Sequence, residues 1–82
     1  MADNTAACEA GKQYLIDKIV RMTNLSRENL VWEQGMHVGS TLRVIRGDQS
    51  ISYDIDAWDL SGVRPRSHLD VYADEIARDF PR

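Results

Sequence analysis

Cysteine is nearly absent from this sequence: Cys8 is the only one, so no disulfide can form within the chain and no cysteine-rich zinc site exists. Long apolar runs are also missing, since none approaches the roughly 20 residues that a helix needs to cross a bilayer. The first residues, MADNTAACEAGK, lack the charged and then apolar pattern of a secretory signal. The glycines are isolated and form no phosphate-binding loop. We therefore expect a cytoplasmic protein with no membrane segment and no cofactor.

What the sequence does contain is typical of a small folded domain. Its 82 residues are 43% hydrophobic and 28% charged, with no linker, repeat or low-complexity segment. A chain of this length forms one domain and buries about 60% of the surface that it exposes when unfolded. The sequence predicts a single domain over residues 1–82.

Acidic residues are concentrated in the last third of the chain. Residues 1–51 hold six acidic and six basic residues, whereas residues 52–79 hold seven acidic and three basic ones. Because contacts to phosphates require Lys and Arg, this distribution disfavours nucleic acid as a direct ligand. It favours a partner with a basic surface instead.

Two segments have the apolar spacing of amphipathic helices. The first runs from about Thr5 to Met22, and Asn24 is a residue type that can end a helix in the left-handed conformation. The second follows Ser67, which is predicted to cap it, with Asp70 in the place of a capping-box acid. Helical spacing puts its acids on two flanks: Asp70 and Asp74 on one, Glu75 and Asp79 on the other.

Three strands are predicted between these helices. Residues 30–34, LVWEQ, are rich in β-branched and aromatic side chains. Two alternating runs follow, separated by Gly47 and Asp48, which is the pattern of a hairpin with a two-residue turn. This turn pairs Val44 with Ile51 and Leu42 with Tyr53 on one face of the hairpin. Because strand side chains alternate, Asp54 and Asp56 are then exposed on the opposite face.

The order helix, three strands, helix predicts an α+β fold, αβββα. A half-buried antiparallel sheet needs a cover, so we expect both helices to pack side by side on one face of the sheet. The segment DLSGVRPRS, residues 59–67, is predicted to be a loop because Gly62 and Pro65 break regular structure.

The stretch SYDIDAWD, residues 52–59, brings three aspartates close together in sequence. A calcium loop fits Asp54 and Asp56, but the next alternate position is Trp58 and the sixth is Asp59 where glycine is required. A catalytic carboxylate pair would need a cleft that raises one pKa, which a small domain with an exposed hairpin rarely offers. We therefore predict no metal site and no catalytic residue. Trp58 is instead a candidate for a contact surface, since Trp is enriched among interface anchors.

Four short segments carry a more specific signal: TAACEA at 5–10, VW at 31–32, SYDIDAWD at 52–59 and VYADEIAR at 71–78. In this order they resemble parts of small phage-encoded type I anti-CRISPR proteins, the acidic inhibitors that act as DNA mimics. The resemblance spans most of the chain in short, gapped pieces. The chain differs from that pattern in being only mildly acidic, with a net charge of −3.

The resemblance implies a non-enzymatic inhibitor that acts in the cytoplasm of a bacterial host. Such a protein docks on the Cascade-type surveillance complex and occupies the basic path of the target DNA, with surface carboxylates in place of phosphates. The predicted partner-binding residues are Asp54, Asp56, Trp58, Asp59, Asp70, Asp74, Glu75 and Asp79.

A second reading of the sequence is a small bacterial regulatory or structural module. In that case the strand at 30–34 would pair with its copy in a homodimer. Both a monomer and a homodimer are compatible with the sequence, and an enzyme ranks behind both readings.

Overall fold

The computed structural model describes residues 5–34 and 39–81. The elements, in chain order, are α1 (Thr5–Met22), a 3-10 turn (Arg27–Asn29), β1 (Leu30–Gln34), β2 (Gly39–Arg46), β3 (Gln49–Asp56), α2 (Ala57–Ser61) and α3 (Ser67–Asp79). The three strands form one antiparallel sheet in the order β1-β2-β3, so β1 and β3 are its edges. The predicted α+β class and its helix, three strands, helix order are confirmed, with α2 as an additional short helix.

Helix α1 spans the predicted range, but it ends differently from the prediction. The Thr23 hydroxyl donates to the Ile19 carbonyl at 2.7 Å and accepts the Leu25 N–H at 3.1 Å. These bonds satisfy backbone groups at the helix end and turn the chain so that Leu25 is buried. No residue other than glycine has a positive φ in the described parts of the chain, so the predicted left-handed Asn24 is wrong.

The β2–β3 hairpin has the predicted register. Val44 pairs with Ile51 and Leu42 pairs with Tyr53, around a turn in which Gly47 has φ 61°. Leu42, Val44 and Tyr53 are buried beneath the helices, because alternation puts them on the covered face of the sheet. The register follows from the turn and the alternation together.

The sequence predicts a loop over residues 59–67, but the structure has a short helix, α2, at the start of this segment. The carboxylate of Asp56 accepts the Trp58 N–H at 2.8 Å and caps the start of α2, which includes Asp59 and Leu60. Gly62, with φ 88°, ends the helix in the left-handed conformation. The loop is therefore confined to the residues between α2 and α3.

Helix α3 begins one residue earlier than predicted and lacks the predicted cap. Ser67 is its first residue, and the carbonyl of Arg66 accepts the N–H groups of Leu69 and Asp70. The Asp70 carboxylate faces α1, where it accepts the Tyr14 hydroxyl at 2.8 Å. The capping roles predicted for Ser67 and Asp70 are thus wrong, because Asp70 bonds to a neighbouring helix.

The core lies between the helices and one face of the sheet. Its fully buried side chains come from all three α-helices, from two strands and from the residue that follows α3: Leu15, Ile19, Leu42, Val44, Ile55, Leu60, Leu69, Ala73, Ile76 and Phe80. Cys8 and Trp32 pack against this core while partly exposed. Within residues 5–34 and 39–81, no helix is both long enough and apolar enough to cross a membrane.

Candidate functional site

Strand β3 displays two carboxylates on the uncovered face of the sheet. Asp54 and Asp56 are both exposed, as the alternation predicts. The Thr41 hydroxyl, on the neighbouring strand, donates to Asp54 Oδ1 at 3.0 Å. One side of the edge strand β3 is therefore acidic, and at least one of its carboxylates is held by a cross-strand hydrogen bond.

Helix α3 brings two more acids to the other side of the same strand. The Tyr53 hydroxyl donates to Asp79 Oδ2 at 2.7 Å, and the Gln49 amide donates to the Asp79 carbonyl at 3.2 Å. Burial raises the pKa of Tyr53 well above its ordinary value, and the hydrogen bond to Asp79 and the negative charges of Asp79 and Glu75 raise it further. Asp54, Asp56, Glu75 and Asp79 thus surround β3, and we call them the β3 carboxylates.

Two predicted site residues lie on the other flank of α3. Asp70 is half-buried against α1, where it accepts the Tyr14 hydroxyl and lies 3.7 Å from the Lys18 ammonium. Asp74 is exposed one helical turn further along, on the same flank. The two flanks of α3 therefore carry separate acids, and Asp70 and Asp74 do not join the β3 carboxylates.

Asp59 is buried, with a relative exposure of 3%. Tyr72 donates to its Oδ2 at 3.1 Å, while Arg64 Nη1 and His68 Nδ1 lie 3.3 and 3.4 Å from its Oδ1. The expectation that Asp59 displays its carboxylate to a partner is therefore wrong. The physical reason is that donors from Tyr72 and Arg64 compensate for the lost hydration of the carboxylate, which joins α2, the following loop and α3.

Trp58 is exposed on the outside of α2, at 57% of its full surface. The Arg64 guanidinium lies 5.3 Å from the centroid of its ring. Arg64 Nη1 is also 3.8 Å from Asp56 Oδ2, so the same guanidinium contacts the ring and the capping carboxylate of α2. Trp58 is thus accessible from solvent, as a contact residue must be.

Sequence reasoning missed the role of Arg64 and Tyr72 in this cluster. One signal could have found α2: Asp56 and Asp59 have the spacing of an N-cap acid and a third-position acid, which is typical of a helix start. No comparable signal exists for Tyr72, which lies 13 residues from Asp59, or for Arg64, which lies five residues from it but outside any periodic segment.

In the part of the chain that the structure describes, no three His, Cys, Asp or Glu side chains are grouped as a metal site. Comparisons with protein-family models, with curated proteins and with solved structures found no match to this chain. The candidate site has the geometry of a charged contact surface with one exposed aromatic ring.

Proposed function

We propose that this protein is a non-enzymatic inhibitor that binds a basic surface of a macromolecular complex in the cytoplasm of a bacterial host. The proposed partner is a Cascade-type, type I CRISPR surveillance complex, whose binding of target DNA the inhibitor blocks. The observation that carries the proposal is the position of the β3 carboxylates on both sides of one exposed edge strand. The resemblance of four sequence segments to type I anti-CRISPR proteins supplies the specific partner.

The physical basis is electrostatic complementarity. RNA-guided complexes hold nucleic acid in positively charged channels, and opposite potentials accelerate association and fix the orientation of the bound partner. Exposed ion pairs contribute only about 0 to 1 kcal/mol each, so carboxylates alone would give weak binding. An exposed aromatic residue that becomes buried on binding can supply the remaining affinity. Trp58 is exposed, and it is the residue proposed for this role.

The test uses a purified type I surveillance complex and labelled target DNA. The protein is expected to reduce DNA binding by the complex. Reversing Asp54 and Glu75 to Lys is expected to weaken its binding to the complex by at least about tenfold, through loss of attraction and new repulsion.

A matched control is available in the same chain. Glu28 and Asp48 are exposed acids of the 3-10 turn and the hairpin turn, and reversing both gives a variant with the same net charge. This control is expected to inhibit like the wild type. If both double variants lost activity equally, net charge rather than the β3 carboxylates would be responsible, and failure of the wild type on type I complexes would remove the specific partner.

A homodimer that forms through β1 is the second candidate. Strand β1 lies at the edge of the sheet. Its Val31 side chain, on the uncovered face of the sheet, is 39% exposed. Unpaired edge strands can pair with another chain. Sedimentation equilibrium at micromolar concentration separates the candidates, since a tight dimer favours the regulatory module and a monomer favours the inhibitor.

A further inference from the structure

The Trp58 ring already binds a guanidinium, which is that of Arg64. The Arg64 guanidinium lies 5.3 Å from the ring centroid, and its Nη1 is 3.8 Å from Asp56 Oδ2 and 3.3 Å from Asp59 Oδ1. The Arg64 backbone N–H also donates to the Trp58 carbonyl at 3.2 Å. A planar cation is thus held between one aromatic ring and two carboxylates of α2 and its cap.

We propose that the Trp58 ring and the Asp56 carboxylate form a recognition surface for an arginine side chain of the partner. Arg64 occupies this surface in the free protein and gives way to the partner's guanidinium on binding. The inference rests on the proposed function, because that function requires a partner with a basic surface. It adds the identity of the recognised group and the residues that recognise it.

Three observations support an exchange of guanidinium groups. Trp58 is largely exposed, so an incoming side chain can reach the ring from solvent. Asp59 is buried and also accepts from Arg64, so Arg64 keeps a carboxylate partner when it leaves Asp56 and the ring. Asp56 is exposed beside Asp54, which draws cations to this end of β3.

The chemistry favours arginine over lysine. A guanidinium is planar, stacks on aromatic rings and donates to a carboxylate at the same time, whereas an ammonium is compact and more strongly hydrated. The arrangement around Arg64 uses both properties of the guanidinium. A lysine side chain could satisfy the charge of Asp56 and would gain less from the ring.

The test needs no surveillance complex, so its failure is distinguishable from failure of the proposed inhibition. Hexa-arginine and hexa-lysine peptides are titrated into the protein at low ionic strength, and the Trp58 indole N–H resonance is followed by NMR. The Trp32→Phe variant assigns this resonance. We expect hexa-arginine to shift it and to bind about threefold more tightly than hexa-lysine.

Two pairs of variants test the roles of Asp56 and Arg64. Asp56→Asn keeps a good helix cap while removing the charge, and it is expected to weaken hexa-arginine binding about threefold relative to Asp48→Asn, which removes the same charge at the hairpin turn. Arg64→Gln frees the ring and is expected to bind more tightly than Arg78→Gln, which makes the same charge change on the exposed side of α3.

The outcomes that would overturn the proposal are a Trp58 resonance that does not move, equal losses in Asp56→Asn and Asp48→Asn, or no gain in Arg64→Gln over Arg78→Gln. If the peptide results held while inhibition of type I complexes failed, the arginine surface would stand and the partner would be a different basic protein. If inhibition held and the peptide results failed, the inhibitor would use another anchor.

Discussion

At the scale of single residues, Gly11 permits a close approach between α1 and α2. A Cβ atom at this position would lie 1.9 Å from the Leu60 carbonyl oxygen, 2.6 Å from the Leu60 carbonyl carbon and 2.7 Å from its Cα. All three atoms are backbone, so a side-chain movement could not relieve the clash. We predict that Gly11→Ala lowers the free energy of unfolding by about 2 to 3 kcal/mol, measured by urea denaturation.

The control for this prediction is Ala10→Gly, at an exposed position of the same helix. It is expected to cost about 1 kcal/mol through helix propensity alone. On propensity alone Gly11→Ala would be stabilising by a similar amount. A Gly11→Ala protein as stable as the wild type would therefore contradict the close packing of α1 against α2.

Each of the three tyrosines donates its hydroxyl to an aspartate: Tyr14 to Asp70, Tyr53 to Asp79 and Tyr72 to Asp59. The hydrogen bond to Asp70 raises the pKa of Tyr14, and burial is the main cause of the raised pKa values of Tyr53 and Tyr72. The folded state therefore retains these protons at a pH where the unfolded chain, with pKa values of about 10, loses them.

The consequence is that stability falls as the pH rises above about 10, since the unfolded state then binds fewer protons than the folded state. The stabilisation from these phenols is complete below that pH and is lost as the pH approaches their folded pKa values. Absorbance at 295 nm should show little tyrosinate in the folded protein at pH 10 and much more in urea. Equal titration curves in the two states would contradict the tyrosine–aspartate bonds.

The same residues show how far the sequence could predict the site. The exposure of Asp54 and Asp56 follows from strand alternation once Gly47 and Asp48 fix the turn, so a local pattern was sufficient. The burial of Asp59 depends on Arg64, His68 and Tyr72, whose side chains reach it only after α2 and α3 have packed together. No periodicity of the sequence contains that information.

At the scale of elements, Asp59 joins α2 to the following loop and to α3. Its carboxylate accepts from Tyr72 of α3 and pairs with Arg64 of the loop. We predict that Asp59→Ala lowers the free energy of unfolding by about 2 kcal/mol, because it leaves these donors without their shared acceptor. Urea denaturation of Asp59→Ala beside Asp74→Ala, an exposed acid on α3, measures the difference. Equal stability of the two variants would show that Asp59 does not stabilise the packing of α2 and the following loop against α3.

The sequence predicted the elements that have a long periodic pattern and missed the one element that is too short to have one. The hairpin has a turn residue with positive φ and two long alternating runs, and α1 and α3 each have several turns of apolar spacing. Helix α2 has five residues, which is too few for a periodic pattern, and Gly62 made the segment resemble a loop. Gly62 does interrupt regular structure, as predicted, but it does so by ending α2 and not by lying within a loop.

At the scale of the whole molecule, charge is distributed more unevenly than the net charge of −3 suggests. Asp59 is buried and Asp70 is half-buried, and both accept hydrogen bonds from tyrosines, whereas Asp79 is exposed but accepts from Tyr53. Of the acids in residues 52–79, the ones that remain most available are Asp54 and Glu75, near β3, and Asp74 on the other flank of α3. Attraction to a basic partner is therefore expected to be a local property of the β3 side rather than of the total charge.

This distribution predicts how association depends on salt. The association rate constant with a type I surveillance complex, measured by surface plasmon resonance, should fall by about tenfold or more between 50 mM and 500 mM salt, because screening shortens the range of electrostatic steering. The Glu28→Lys/Asp48→Lys protein should keep this dependence, and the Asp54→Lys/Glu75→Lys protein, with the same net charge, should lose it. A dependence that followed net charge alone, equal in both variants, would mean that the β3 carboxylates do not steer the encounter.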